Sequence, residues 1–111
     1  MSADKFAALR KGLLEFLVLS ALSSGKMYAA DMIRRLEEVD FPTKEGTLYP
    51  LLSRLRREGL VEYEWRESAL GPPRKYYDLS EAGRERVAEF REHWKRLTTI
   101  IEGLEASRCE K

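Results

Sequence analysis

The sequence contains one cysteine, Cys109, and one histidine, His93. A single thiol permits no internal disulfide, which fits a reducing compartment and leads us to expect a cytoplasmic protein. Two isolated side chains of this kind do not make a zinc or haem site, which needs several ligands at fixed spacing. A phosphate-binding glycine loop is missing. Carboxylates are interleaved with lysine and arginine at helical spacing, as on a solvated surface. The chain therefore has no convincing catalytic constellation, an enzyme is disfavoured, and no metal or cofactor is expected. Long hydrophobic runs are absent too. The apolar stretch 13–22 is interrupted by Glu15 and Ser20, and it falls short of the roughly 18 continuous apolar residues of a membrane span. It has no cleavage-like sequel, so no signal peptide is expected. Nor is there a strong charge of either sign: 20 lysines and arginines face 19 aspartates and glutamates, a net charge of +1. Nucleic-acid binders are commonly more basic. Any DNA-reading face must come from cations gathered on one side.

What is present suits one soluble domain with a modest core: 111 residues, 43% hydrophobic and 35% charged. The chain is organised around residues 43–79. Leu48, Leu51, Leu52 and Leu55 repeat at helical steps. Thr43 is expected to cap this helix and Gly59 to end it, as a residue tolerant of positive φ. Pro50 is awkward there, since its ring presses on the carbonyl of Gly46. Either the regular helix starts near Thr47, or it bends and glycine permits the bend. The pattern then changes to period two. Val61, Tyr63 and Trp65 alternate with Glu62, Glu64 and Arg66. The segment 68–73 is expected as the turn, stiffened by Pro72 and Pro73, and residues 74–79 as the returning strand.

Before this unit, residues 4–24 read as a helix capped by Asp4 and stopped by Ser23-Ser24-Gly25. Its stripe is Phe6, Leu9, Leu13, Phe16 and Leu17, widened by Leu14, Val18, Leu19, Ala21 and Leu22. So broad a surface exceeds what one small domain covers. Residues 28–39 read as a second helix with Met32, Ile33, Leu36 and Val39 inward, closed by Asp40-Phe41-Pro42. The short link to the next helix makes the pair a helix-turn-helix. Ser80 caps a last helix running to Ala106, with Glu81 in its first turn. Gly83, Val87, Phe90, Trp94, Leu97, Ile101 and Leu104 recur along it at alternating steps of four and three, an a/d seam. Such a helix is roughly 40 Å long at 1.5 Å per residue. A domain this small cannot cover it, so a homodimer is expected, with Leu9, Leu13, Val87, Phe90, Trp94, Leu97, Ile101 and Leu104 at the interface.

The expected fold is mainly α with a small β-hairpin (α+β): a winged helix-turn-helix over residues 1–79, a C-terminal dimerisation helix over 80–106 and a tail over 107–111. The expected partner is double-stranded DNA. Thr43, Lys44, Thr47, Tyr49 and Ser53 lie on the N-terminal part of the recognition helix, where hydroxyls and a lysine suit base edges and phosphate. Arg54 and Arg57 would reach phosphate, and Arg74 and Lys75 would make backbone or minor-groove contact from the wing tip. The plainer alternative has Tyr49 in the core and the arginines on a solvated face with Glu58. Tyr63, Trp65 and Tyr77 are expected to pack the hairpin onto the helices.

The segments TLYPLLSRLRREGLVEY and PPRKYYDLSEAG carry a resemblance. Gly46-Thr47-Leu48-Tyr49-Pro50, Leu55, Gly59-Leu60-Val61, Arg74-Lys75-Tyr76-Tyr77, Leu79-Ser80 and Gly83 together are similar to the PadR-type transcriptional regulators, winged-helix repressors. The similarity covers about Leu13 to Leu104. The family often has Tyr-Gly-Tyr after the first helix, where this chain has Tyr28-Ala29-Ala30. The single C-terminal helix with Trp94 and Ile100-Ile101-Glu102 resembles the short branch whose members bind flat aromatic drugs at the dimer centre. That resemblance implies a planar aromatic ligand between two Trp94 rings, lined by Phe90, Leu97, Ile101, Phe16 and Leu13. A filled seam without a cavity is the plain alternative for Trp94. A protein-docking winged helix is the alternative for the whole chain.

Overall fold

The structure, a computed structural model, describes residues 5–106. Asp4, the expected first cap, and the tail 107–111 lie outside them. In chain order the described residues form α1 (Ala7–Leu22), β1 (Met27–Tyr28), α2 (Ala29–Glu38), α3 (Glu45–Arg57), β2 (Val61–Ser68), β3 (Gly71–Leu79) and α4 (Glu81–Ala106). This is the expected α+β winged helix, with one addition. The strand β1 pairs with β3 through Met27–Tyr77 and Tyr28–Tyr76, giving an antiparallel sheet of order β1-β3-β2.

The core takes one face of each helix. On α1 it takes Leu14, Val18, Leu19 and Leu22. Leu9, Leu13 and Phe16 of the same helix face α4 instead. On α2 it takes Ala29, Met32 and Leu36. Val39, expected inward, is exposed, because the helix ends at Glu38 and the chain turns away. Asp40 makes that turn at φ 64°. The Phe41 N–H donates to Leu36 O at 2.8 Å and the Asp40 N–H to Glu37 O at 3.0 Å. This Schellman closure is normally a glycine position. Asp40→Gly should therefore raise stability by about 0.5–1 kcal/mol, read as a higher denaturant midpoint.

The start of α3 corrects one expectation and decides between two open ones. Lys44, not Thr43, is the N-cap, and the Thr43 hydroxyl donates to Phe41 O at 3.2 Å. The helix begins at Glu45, ahead of Thr47, so Pro50 lies inside it. Proline offers no N–H to the Gly46 carbonyl, and Gly46 is exposed, where water can satisfy that oxygen. Leu48, Leu52 and Leu55 are buried. The far end closes as the sequence suggests. Gly59 has φ 79°, the Leu60 N–H donates to Leu55 O at 2.9 Å, and the Gly59 N–H donates to Arg56 O at 2.9 Å.

The hairpin is longer than its sequence suggests. Ser68 pairs with Gly71, so the turn is Ala69-Leu70 and both prolines belong to β3. They are tolerated because β1 covers β3 only at Tyr76 and Tyr77. Nearer the turn one side of β3 is an edge, and on the other the two prolines lie at a bulge opposite Glu67, between the pairs Arg66–Arg74 and Ser68–Gly71, so neither missing N–H breaks a regular ladder.

Ser80 caps α4 as expected: its hydroxyl accepts from the Gly83 N–H at 3.0 Å and donates to Gly59 O at 2.5 Å. Gly83 and Val87 are the buried residues of α4. The next turns meet α1 at Arg86 and Phe90, and the C-terminal part projects. The radius of gyration is 17.4 Å, against about 13 Å for a compact domain near this size.

Candidate nucleic-acid interface and the groove behind it

Burial of Leu48, Leu52 and Leu55 leaves the opposite side of α3 in water. Gly46, Tyr49, Pro50, Ser53 and Arg57 lie there at helical steps, and Lys44 and Thr47 stand exposed at the first turn. Tyr49 is 47% exposed, so its placement in the core is set aside. Thr43 is half-buried with its hydroxyl occupied by Phe41 O.

The wing closes against this side in two clefts. Tyr49 lines one of ≈ 280 Å³ with Trp65, Arg74, Lys75 and the start of α2. Ser53, Arg56 and Arg57 line another of ≈ 180 Å³ with Tyr63, Lys75 and Tyr77. Lys44, Thr43 and Thr47 border a separate groove that also touches Arg10 and Lys11 of α1. Most of the expected DNA-contacting residues are thus gathered around α3 and the wing. Arg54 is turned elsewhere. It donates to Glu15 of α1 and to Glu58, each at 3.0 Å. Hydrogen bonds to Glu15 and then Glu58 raise its pKa further above the ordinary arginine value. Glu15 also accepts from Arg86 of α4 at 3.4 Å. One carboxylate therefore ties the recognition helix and α4 to α1.

Arg74 and Lys75 are not at the hairpin apex, because the turn is Ala69-Leu70. They sit within β3 and serve opposite faces. The Arg74 guanidinium lies 3.9 Å from the Tyr28 ring centre, and Arg66 lies 4.1 Å from that of Tyr76. The Lys75 ammonium lies 4.6 Å from the Tyr63 ring and 5.5 Å from Trp65. Cation–π contact holds these charges in place along the wing. Trp65, expected to pack inward, is 62% exposed. Tyr77 does pack, and burial first, then Tyr49 and Tyr63, pushes its phenol pKa up. Trp65, Tyr28, Arg56, Arg10 and Lys11 are among the site-lining residues that pattern reading missed. The signal for Trp65 was its register opposite Lys75, legible only once the turn is placed correctly.

On the other side of the chain α1 and α4 leave an open groove of ≈ 460 Å³. Phe16 stacks on Phe90 at 3.9 Å between centres and 10° between planes. Phe90 lies 5.8 Å from Trp94, tilted by 35°. Leu9, Leu13 and Leu97 complete the apolar wall, and Arg86, Glu89 and His93 supply polar lining. Ile101 and Leu104 lie outside this groove, 53% and 73% exposed. Val87, expected at a chain–chain interface, is buried in the chain's own core.

Comparison with known proteins agrees with this geometry. The family model described as the transcriptional regulator PadR-like family matches residues 18–89, more than half of the chain. A PadR-like transcription factor from Bacteroides fragilis is 42% identical, with a TM-score of 0.81, over 88% of this chain and 95% of that one. A PadR family transcriptional regulator from Eggerthella lenta is 32% identical, with a TM-score of 0.83, over 92% and 89%. A PadR-like transcriptional regulator from Bacillus cereus is 33% identical, with a TM-score of 0.79, over 91% and 99%. An uncharacterised protein from Lysinibacillus sphaericus is 26% identical over 102 residues, covering 86% of this chain and 94% of that one. With its helix-and-wing unit and its match over residues 18–89, the chain belongs to the PadR-like family of transcriptional regulators.

Proposed function

We propose that this PadR-like regulator is a cytoplasmic homodimeric repressor that leaves its operator when a planar aromatic ligand enters the groove between α1 and α4. The observation that carries the DNA-reading part is the convergence of exposed α3 residues and wing cations on shared clefts. Lys44, Thr47, Tyr49, Ser53 and Arg57 face the bases and phosphates of the major groove from α3, with Thr43 at its entrance. Arg74 and Lys75 hold backbone from the wing, and Arg54 positions α3 against α1. Residues 1–79 form the reading unit and 80–106 the dimerisation helix. Two units on a symmetric dimer address half-sites about one helical turn apart. The exposed apolar residues Trp94, Leu97, Ile101 and Leu104 support pairing through α4, since a lone chain leaves them in water. A planar ligand between the two Trp94 rings of the dimer, lined by Phe90, can shift the two reading units only by as much as it prefers one arrangement over the other.

Mobility shift on the DNA upstream of the chain's own coding sequence tests the reading. Lys44→Ala with Arg74→Ala should weaken binding at least about tenfold, and wild-type binding should fall steeply with salt. Binding indifferent to both changes removes the helix-and-wing assignment. Salt-insensitive association would favour a protein-docking winged helix. For the groove, a planar aromatic dye should quench tryptophan emission in the wild type. The quenching should vanish in Trp94→Ala, where Trp65 still emits.

A further inference from the structure

We infer that Glu15 is a positioning residue for paired reading: its two carboxylate oxygens fix the recognition helix to the dimerisation helix, so that two reading units meet two half-sites at a set angle. This rests on the dimeric DNA reading proposed above and assigns its rigidity to one side chain of α1.

Glu15 Oε1 accepts from Arg54 of α3 at 3.0 Å, and Oε2 accepts from Arg86 of α4 at 3.4 Å. The two arginines lie 39 and 71 residues further along the chain, so the fold assembles the trio. The Glu15 side chain is 17% exposed, against 43% for Arg54 and 42% for Arg86. A carboxylate so far withdrawn from water must keep its partners. Here they come from two elements with separate tasks. α3 carries the candidate DNA-facing residues, and α4 carries the exposed apolar seam. Three ties of α4 to the reading unit sit at its start. Ser80 bonds to Gly59 O, Gly83 packs on Leu60, and Arg84 faces Asp78 of β3 at 3.6 Å. A rod held at one end can pivot there. Further along, Val87 joins the core and Phe90 stacks on Phe16. Apolar contacts are non-directional and tolerate sliding. Hydrogen bonds between charged groups have a direction, and Glu15 makes one towards each helix. Neighbouring carboxylates do not bridge in this way. Glu58 takes Arg54 at 3.0 Å from the end of the same helix, and Glu89 faces Arg86 at 3.9 Å from within α4.

The test measures affinity for the chain's own upstream duplex, its half-sites located by footprinting, and for the same duplex with one half-site scrambled. Protein concentrations are those at which each variant sediments as a dimer. The ratio of the two affinities reports the second binding event, which linkage strengthens only where geometry lets both units engage. Glutamine fills the space of Glu15 but has one carbonyl oxygen, so it can serve one arginine and turns its NH₂ to the other. In Glu15→Gln the ratio should fall at least about tenfold, while affinity for the single half-site stays within about twofold of wild type. Arg86→Gln, a change at a half-exposed side chain, should lower the ratio as much. The double variant should lower it no further, because either change cuts the same link. Glu58→Gln removes the other acceptor of Arg54 without touching α4, and should leave the ratio alone. An unchanged ratio in Glu15→Gln and Arg86→Gln overturns the proposal. Equal losses on both duplexes overturn it too, since that is what mere support of α3 would give. A wild-type ratio near one overturns paired reading itself, and this role with it.

Discussion

Gly83→Ala should cost this protein about 3 kcal/mol, enough to lower its melting temperature by roughly 10–20 °C. The position reads like a helix interior, where alanine ordinarily stabilises by about 1 kcal/mol relative to glycine. Here a Cβ would stand 2.1 Å from the Leu60 carbonyl oxygen and 3.0 Å from Leu79 Cδ2. The oxygen cannot easily withdraw. It accepts from the Ser80 N–H at 3.0 Å, and the neighbouring Gly59 carbonyl is held by the Ser80 hydroxyl at 2.5 Å. The same contacts join the end of α3, the base of the wing and the first turn of α4. Alanine must therefore push α4 off the reading unit, and DNA affinity should fall along with stability. Gly103→Ala is the control. It lies on the same helix with nothing within 4 Å of an added Cβ, so it should be neutral or slightly stabilising. Thermal unfolding of the two variants checks the contrast. Equal melting temperatures would mean that the approach of α4 to Leu60 is looser than it stands here.

The second large effect is expected from Leu97→Asp combined with Ile101→Asp. Both side chains are exposed in the single chain and take no part in its core, so far-UV circular dichroism should not change. At a chain–chain seam each carboxylate would be stripped of water without a partner, at a cost of several kcal/mol. The variant should sediment as a monomer. Its affinity for a two-half-site operator should drop by about 10²–10⁴, the advantage that linkage gives a second binding event. A variant that remains dimeric and binds normally would place the interface elsewhere.

The parts legible in the sequence share a cause. Gly59 marks a positive-φ stop, Ser80 a cap, and the alternation from Val61 a strand, because each depends on chemistry within a few residues. What was misread depends on distant partners. Either stripe of α1 could have faced inward, and only packing against α2, α3 and the sheet selects Leu14, Val18, Leu19 and Leu22. β1 is two residues long, too short for any period, and exists through its pairing with β3. Pro72 and Pro73 suggested a turn. They sit in a strand because its neighbour on one side stops at Tyr76 and the pairing with β2 on the other is interrupted by a bulge at Glu67. Arg54 looked like a phosphate ligand because Glu15, its partner, lies 39 residues earlier. The candidate DNA face was readable as a set of residues, whereas the position of Trp65 and of the wing cations was not.

The claim on which all of this depends is that two reading units act together on one duplex. The mass of the protein–operator complex, by sedimentation or native mass spectrometry at saturating protein, tests it most directly. The account predicts two chains per duplex, falling to separate one-chain complexes with Leu97→Asp and Ile101→Asp. A wild-type complex of one chain per operator, with undiminished affinity, would contradict it.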